Sequence, residues 1–172
     1  MSHQRERIRD CIADEPGIHF NALTRRLDLA PGQVQYHLKR LDDADAVVET
    51  DLYGRTHYYT PGYGAWERAA IAVLRRETAR DVVLCLLADG PSAPADVADE
   101  LAIARSTLEW HLDHLLEREL VEKERDANNH VTLVLAHPAE TADMLRRIDP
   151  SLPERLVDRF TRLVDALLDD AR

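Results

Sequence analysis

Two stretches, QVQYHLKRL at residues 33–41 and TLEWHLDHL at residues 107–115, repeat one pattern of apolar and polar residues. Each carries a branched apolar residue at its second position, then an aromatic residue, His-Leu, and a final Leu. In the first stretch, Val34, Leu38 and Leu41 are spaced i, i+4 and i+7, which predicts a helix with one buried stripe. The second stretch has the same spacing, so the chain uses one buried template twice.

The repeat extends well beyond these helices. Placing each residue on the one 74 positions later aligns residues 8–47 with residues 82–121 without a gap. Cys11 then falls on Cys85 and His37 on His111, and the apolar residues Ile8, Ile12, Leu23, Leu29 and Val34 fall on apolar residues. Two copies that can each close a core predict tandem domains and not a solenoid.

Each copy predicts the same order of elements. A first helix ends at DEPG or ADGP, a short second helix and a tight turn follow, and the third helix is the one quoted above. Pro31 lies near the start of the third helix, where a missing N–H costs nothing. Two β-prone runs, VVET and THYYT, then flank Gly54 and predict a hairpin. The predicted fold class is therefore mainly α with small β-wings: two tandem winged helix-turn-helix modules plus C-terminal helices.

The stretch LTRRLDLAPGQVQYHLKRLDDADAVVETDLYGRTHYY, residues 23–59, resembles the winged helix-turn-helix of ArsR- and MarR-type transcriptional regulators. The whole chain is similar to tandem winged-helix regulators of haloarchaea. The resemblance covers residues 4–60 well and residues 78–135 less closely, because DANNH at residues 126–130 indicates a degraded wing. It implies double-stranded DNA as the partner, although winged helices also serve as protein-docking modules.

Breakers divide the chain into four predicted parts, namely a first module over 1–62, a connecting helix over 63–77, a second module over 78–137 and a C-terminal helical segment over 138–172. The connecting helix is expected either to continue into the second module or to break near Thr78, which has capping spacing to Asp81. Pro138 is expected to open a helix bearing Met144, Leu145 and Ile148. The last helix has a wide apolar stripe that includes Leu156, Phe160, Leu163 and Leu167. We interpret that stripe as a dimerisation surface; the alternative is packing on its own chain.

On the predicted third helix, a rotation of about 100° per residue places Gln33, Tyr36, Lys39 and Arg40 opposite the buried stripe, with Gln35 on the flank. The resemblance implies that Gln33, Gln35 and Tyr36 lie where bases are most often contacted, with Lys39 behind them. The alternative is a solvated polar face, but an outward aromatic residue argues against it.

Three further arginines are candidate DNA contacts. Arg55 lies beside Gly54 at the predicted wing tip, and a wing arginine commonly enters the minor groove. Arg25 and Arg26 lie on the second helix, where they are candidates for phosphate contact. An exposed arginine in a turn is common, so the alternative for Arg55 is a solvated side chain.

The second copy changes the charges of the outward face, because Gln35 becomes Glu109 and Lys39 becomes Asp113. Residues 1–62 carry 8 basic and 10 acidic side chains, whereas residues 75–137 carry 7 and 13. The first module is therefore predicted to contact DNA, and the second to support assembly or to dock a partner through Trp110. If the second module does touch DNA, its candidate contacts are Arg105, Ser106, Thr107 and Trp110.

The overall composition indicates an unusual environment. The net charge is −10, 19 Asp outnumber 13 Glu, and only Lys39 and Lys123 are lysines among 22 basic residues. Such a surface resembles that of proteins from salt-accumulating halophiles, where negative charge maintains solubility. The absence of a membrane-length apolar run or a secretory signal, and the presence of only two cysteines, favour the cytoplasm.

No pattern in the sequence indicates catalysis or a cofactor. We find no phosphate-binding glycine motif, zinc-protease motif or nucleophile elbow, so an enzyme is not expected. His37 and His111 are expected to be satisfied, half-buried imidazoles, and Cys11 and Cys85 buried small apolar residues. A metal site at His111 and His114 is disfavoured, because no third ligand is near in sequence.

These observations predict a cytoplasmic, homodimeric, sequence-specific DNA-binding transcriptional regulator. Two first-module helices would enter successive major grooves, and occupancy would block or recruit the basal transcription machinery. The main alternative is a winged-helix docking factor that assembles with other proteins without recognising a DNA sequence. A ligand- or redox-responsive sensor is a third possibility.

Overall fold

The computed structural model describes residues 2–148 and divides the chain into two compact units, Met1–Ala72 and Val73–Arg172. Helices dominate both units, and each unit contains a small antiparallel sheet. The predicted class, mainly α with β-wings in two tandem winged helix-turn-helix modules, is confirmed. The elements of the first module are α1 His3–Asp14, β1 Ile18–His19, α2 Phe20–Leu27, α3 Pro31–Asp42, β2 Val48–Leu52 and β3 Arg55–Tyr59.

The three helices of the first module close a continuous apolar core. Its buried members come from all three helices and from the strands: Ile8, Ile12, Ile18, Leu23, Val34, Leu38, Leu41, Val47 and Tyr58. Asp28 ends α2 in the left-handed region, with φ 52°, a conformation that a short polar side chain tolerates. The chain then reverses and α3 starts at Pro31, in the first turn as predicted. This tight connection fixes α3 against α1 and α2.

The wing of the first module is a hairpin with a two-residue turn. Tyr53 and Gly54 both have positive φ, 53° and 76°, which matches the twist of a right-handed hairpin. β3 also pairs with β1, so the sheet order is β1-β3-β2. The sequence did not predict β1, because two residues are too short to show a strand period.

A fourth helix, α4 Ala65–Leu74, begins on the first module. The Nε of Arg68 donates to Oγ1 of Thr50 at 3.0 Å, and its Nη1 donates to the carbonyl of Tyr63 at 2.6 Å. The hydroxyl of Tyr59 donates to the carbonyl of Arg68 at 2.6 Å. These bonds tie the start of α4 to both wing strands. The first unit accordingly runs to Ala72, within the segment 63–77 that the sequence assigns to a connector.

The second module repeats the order of elements: α5 Glu77–Asp89, α6 Pro94–Glu100, α7 Arg105–Glu117, β4 Val121–Arg125 and β5 Val131–Leu135. Leu108, Leu112 and Leu115 of α7 are fully buried, as the repeated spacing predicts. An isolated bridge between Ser92 and Leu133 stands where β1 pairs with β3 in the first module.

Of the two alternatives for the connecting helix, the break near Thr78 is confirmed, because the chain breaks at Arg75 and Arg76. The predicted cap is wrong, because Thr78 lies inside α5. The second wing is also not degraded, because β4 and β5 each contain five residues, as do β2 and β3. The polar run that suggested degradation forms only the turn between them.

After the second wing, α8 Pro138–Ile148 starts at Pro138 and buries Met144, Leu145 and Ile148, as predicted. The predicted dimerisation stripe of Leu156, Phe160, Leu163 and Leu167 lies outside the described residues. Within residues 2–148, no helix combines the length and the apolar character that crossing a bilayer would require.

Candidate nucleic-acid interface

The outward face of α3 is polar and exposed along its whole length. Val34, Leu38 and Leu41 are buried, with relative exposures of 3% or less. The helical-wheel prediction for the opposite face is confirmed, because all five of its members are exposed: Gln33, Gln35, Tyr36, Lys39 and Arg40. A helix that buries one stripe and presents amides and cations on the other can enter a DNA major groove.

Tyr36 is the largest apolar group that this face exposes, at 57%. The guanidinium carbon of Arg40 lies 5.6 Å from the ring centroid, and the ring of His37 meets it edge-on at 5.2 Å. These two neighbours favour an outward-standing ring without covering it. Tyr36 therefore presents both an aromatic face and a hydroxyl to solvent.

Arg25 and Arg55 line one open cleft, although they lie on different elements. The cleft, about 690 Å³ in volume, runs between the first turn of α2 and the tip of the wing. Its remaining lining residues are His19, Phe20, Asn21, Thr24, Gly54 and Thr56. Neither arginine makes an ion pair with any residue that the structure describes.

Arg26 differs from Arg25 in having a carboxylate partner. Its guanidinium is paired with Glu15, which follows α1. The Nε of Arg25 instead donates to the carbonyl of Asn21 at 3.3 Å, and no carboxylate among the described residues balances its charge. Of the two arginines predicted to contact phosphate, Arg25 is therefore the one with electrostatic attraction left for an anion.

Acidic residues limit the interface at the other end of α3. A second groove, about 560 Å³, is lined by Gln35 and Lys39 but also by Asp42 and Glu49. Glu49 is exposed, but partial desolvation at the groove, and then the charges of Asp42 and Asp51, raise its pKa. Because this end of the face repels phosphate, a duplex would be favoured nearer the N-terminal half of α3.

The corresponding face of α7 in the second module carries Trp110, which is 50% exposed. The Arg76 guanidinium lies 5.2 Å from the indole centroid, and the rings of His111 and His114 meet the indole edge-on at 4.7 and 4.5 Å. Thr107 and Asp113 are exposed beside it. The aromatic position is thus kept in both modules, but in the second its ring contacts three cationic or titratable groups.

The cations near α7 are partly neutralised by one carboxylate. Glu109 accepts from Nζ of Lys123 at 3.0 Å and lies 3.7 Å from the guanidinium of Arg105. Ser106 is exposed, but Arg105, its neighbour, is thus not a free positive charge. This pairing weakens the candidate DNA contacts of the second module relative to Arg25 and Arg55.

The prediction for His37 and His111 is only half right. Both are half-buried, but the Nδ1 atom of each is buried and has no hydrogen-bond partner among the described residues. Burial and the positive charges of Arg76 and His114 lower the pKa of His111. The neutral imidazole is therefore the favoured form at His111.

The two cysteines differ in exposure. Cys85 is buried, as predicted, and burial together with Asp89 raises its pKa to about 11. Cys11 is only half-buried. Residues 2–148 contain no group of three or more His, Cys, Asp or Glu side chains placed to hold a metal ion.

Sequence reasoning missed the polar residues that share the cleft with the two arginines, namely His19, Asn21, Thr24 and Thr56. The repeat held a signal for three of them, because the residues 74 positions later are Ala93, Ala95 and Ala98. Polar side chains in one copy and alanine in the other indicate a surface that the first copy alone retains. His19 also has a structural role, since its Nδ1 caps α2 by accepting from the Ala22 N–H at 3.3 Å.

Comparison with known proteins defines the class of both modules. A family described as an N-terminal helix-turn-helix domain matches residues 2–71, and a family described as a helix-turn-helix domain matches residues 74–124. The chain therefore contains two tandem helix-turn-helix domains. It is also similar to an uncharacterised HTH-type transcriptional regulator of Methanocaldococcus jannaschii, at 23% identity over 131 residues. That match covers 76% of this chain and 33% of the relative, so the chain spans about a third of the relative's length.

Proposed function

We propose that this protein is a sequence-specific, DNA-binding transcriptional regulator that acts as a homodimer through its first module. The observation that carries the proposal is the outward face of α3, where amide, aromatic and cationic side chains stand exposed beside a wing with an unpaired arginine. The two helix-turn-helix domains and the regulator named above support the same class.

The chemistry of the face suits base recognition. A glutamine amide can donate to and accept from adenine at once, so Gln33 and Gln35 are the proposed base contacts. Tyr36 packs on base edges or sugars next to them. Lys39 and Arg40, one turn further along α3, contact guanine or phosphate. Because the acids at Asp42 and Glu49 follow, the specificity of the helix is concentrated in its first two turns.

The composition suits DNA binding at high salt. We propose that the Asp-rich, Lys-poor surface is an adaptation to a salt-rich interior, as in halophilic archaea. Molar salt removes most of the affinity that comes from counterion release. Hydrogen bonds to base edges are screened far less, so recognition would depend on Gln33, Gln35 and Tyr36 more than on net charge.

Dimerisation belongs to the proposal. Two-fold DNA sites are recognised by symmetric dimers, and the apolar stripe with Leu156, Phe160, Leu163 and Leu167 is our candidate interface. The second module would support assembly or dock a protein such as a component of the basal transcription machinery. Its exposed Trp110 supports this role, because tryptophan is a frequent anchor of protein interfaces.

The test is in vitro selection of duplexes from a random pool by the full-length protein, followed by gel retardation. We expect an enriched palindromic sequence whose half-sites lie about one helical turn apart. Gln33→Ala with Tyr36→Ala should reduce affinity for it by about 1–3 kcal/mol per lost base contact and leave affinity for random duplex unchanged.

The matched control exchanges the equivalent residues of the second module, Thr107→Ala with Trp110→Ala. This pair should leave the selected sequence and its affinity unchanged. Enrichment of no sequence would show that α3 does not recognise DNA, and so would loss of binding with the control pair alone in protein whose oligomeric state by sedimentation matches the wild type. The docking alternative would then be favoured.

A further inference from the structure

We propose that the cleft between α2 and the wing of the first module binds a single phosphate of the DNA backbone, and that the second module has lost this site. The inference rests on the proposed DNA-binding function and assigns a position and a ligand to one part of the interface. It also changes the expected role of Arg55 from entering the minor groove to holding phosphate.

The geometry brings two unbalanced positive charges to one concave surface. Arg25 projects from α2 and Arg55 follows the wing turn, and both line the same cleft of about 690 Å³. The Nε of Arg25 is engaged with the Asn21 carbonyl, which leaves the two terminal nitrogens of the guanidinium for a ligand. An arginine fork matches the paired oxygens of a phosphodiester.

One further lining side chain suits an anion: Asn21 is exposed and adds an amide donor to the cleft. The hydroxyls of Thr24 and Thr56 contribute no donor, because they donate to the Asn21 carbonyl at 2.9 Å and to Oδ1 of Asp51 at 2.6 Å. Within residues 2–148, no carboxylate lines the cleft. For a chain of net charge −10, a concave surface with two arginines and no acid is a distinct feature.

Position favours DNA over a small free anion. Phe20 and Thr56 line this cleft and also the second groove, which contains Gln35 and Lys39 of α3 as well as the acids Asp42 and Glu49. The cleft therefore adjoins the flank of the helix that we propose to lie in the major groove. A backbone strand bordering that groove would pass this point.

The second module supplies an internal comparison for the α2 side of the cleft. At the offset of 74 residues, Asn21 corresponds to Ala95, Thr24 to Ala98 and Arg25 to Asp99. Asp99 is exposed, and it forms no ion pair with any of the described residues. A cation that attracts phosphate has thus been replaced by an anion that repels it, and the amide by a methyl group.

The wing side of the cleft has changed as well. Ile18 pairs with Tyr58, and Ser92, its equivalent, pairs with Leu133, so the returning strands correspond at an offset of 75 residues. Arg55 then corresponds to His130. The ring of His130 contacts Asp126 at 3.1 Å and its N–H donates to the same carboxylate, so it is committed within the turn. Neither half of the phosphate site is retained.

The experiment uses the full-length protein with Arg25→Gln, Arg55→Gln and the double variant. Affinity is measured over a series of KCl concentrations on the selected duplex and on random duplex of equal length. Each variant should lower the affinity for the selected duplex and the affinity for the random duplex by the same factor. The slope of log affinity against log salt should fall by about 0.9 for a lost phosphate contact. Arg9→Gln, an exposed arginine of α1 paired with Asp10, is the charge-matched control and should change neither quantity.

A second arm locates the phosphate. Single uncharged methylphosphonates are placed in turn along one half-site of the selected duplex. At one position the wild-type protein should lose affinity while the double variant loses none, because the contact is already absent. Coupling at no position, or weakening confined to the selected duplex, would overturn the proposal, the latter because it indicates minor-groove base contact by Arg55.

The outcomes separate this inference from the proposed function. If no sequence is selected but the variants weaken random duplex and flatten the salt slope, sequence recognition fails and the phosphate site stands. If a sequence is selected but Arg25→Gln and Arg55→Gln change affinity and salt slope no more than Arg9→Gln does, the phosphate site is disproved and the proposed function stands. Inorganic phosphate serves as a third probe, titrated by NMR: saturable shifts at Asn21 in a protein that binds no duplex would assign the cleft to a free anion and overturn the proposal.

Discussion

The third helices of the two modules, α3 and α7, bury the same three positions and expose different chemistry. Leu38 and Leu112 are both buried beneath their first two helices. On the outside, Gln35 corresponds to Glu109 and Lys39 to Asp113. Core positions change little because each must fill a fixed space. Outward positions carry no such constraint, so the surfaces of the duplicated scaffold could diverge.

The comparison also shows that net charge is a poor guide to where an anion binds. Both modules are acidic overall, yet Arg25 and Arg55 of the first have no carboxylate partner among the described residues. In the second module Lys123 and Arg105 share Glu109. Whether a cation is already paired therefore distinguishes the modules better than the number of cations.

We expect the largest effect on stability from a substitution that leaves a cavity in the apolar core of one module. Leu38→Ala and Leu112→Ala should each lower the free energy of unfolding of their own module by about 2–5 kcal/mol, since both leave a cavity. The first unit contains Trp66 and the second contains Trp110. When one of them is replaced by Phe, the fluorescence of the other follows the urea unfolding of its own unit alone. We expect Leu38→Ala to reduce binding to random duplex and Leu112→Ala to preserve it. Equal loss of binding in both variants would contradict the division of roles.

A second prediction exchanges the charges of the two surfaces. Arg25→Asp with Lys39→Asp gives the first module the residues of the second, and should lower the salt slope by about 1.8, or about 0.9 per contact. The reverse pair, Asp99→Arg with Asp113→Lys, should raise affinity for random duplex by a smaller factor, because Glu100 and Glu109 remain. Fluorescence anisotropy with a labelled random duplex measures both. If the reverse pair raises affinity by as much as the first pair lowers it, the helix-turn-helix scaffold, and not the cleft, determines phosphate binding.

The sequence predicted the cores well because burial imposes a period. The repeated i, i+4, i+7 spacing identified Val34, Leu38, Leu41 and their partners, and the same wheel identified which side of α3 faces outward. Pro31 and Pro138 marked helix starts for a reason that is also local, the missing N–H. These features depend on residues within a few positions of one another, so the chain alone contains the information.

The sequence could not show which distant side chains meet. Glu109 and Lys123 are separated by the rest of α7, a turn and the start of β4, and only the fold brings their charges to 3.0 Å. The joining of Arg25 to Arg55 in one cleft depends on wing geometry in the same way. The wrong prediction of a degraded second wing has the opposite cause, since composition was given weight over the strand pairing that closes the hairpin.

The third prediction compares one wing position in the two modules, Glu49 and its equivalent Lys123. Because the pKa of Glu49 is raised on folding, ionisation opposes folding at high pH, and this cost disappears as pH falls below the ordinary value of 4.5. Glu49→Gln should therefore stabilise the protein at neutral pH and have no effect near pH 4. Lys123→Gln removes an ion pair with Glu109 and should destabilise it by about 0.2–1 kcal/mol.

Urea unfolding at pH 4 and pH 7 measures both variants of this wing position. The opposite signs are the essential result, since the same place on the scaffold carries a repelled carboxylate in one copy and a paired ammonium in the other. Destabilisation by Glu49→Gln at neutral pH would show that its carboxylate has a favourable partner, against the pKa direction.

The smallest effect concerns Cys11 and Cys85, the free cysteines that occupy equivalent positions in the two modules. Cys85 has a pKa of about 11, so only about one molecule in a thousand carries its thiolate at pH 8, whereas half-buried Cys11 is more accessible. Mass spectrometry after iodoacetamide treatment at pH 8 should find Cys11 modified first, and Cys85 only as the second module unfolds. Asp89→Asn removes the neighbouring charge and should quicken Cys85 labelling modestly, because burial, the larger cause of the raised pKa, remains. Labelling of native Cys85 as fast as that of Cys11 would mean that the two equivalent positions are equally accessible, and would contradict the tighter enclosure of Cys85.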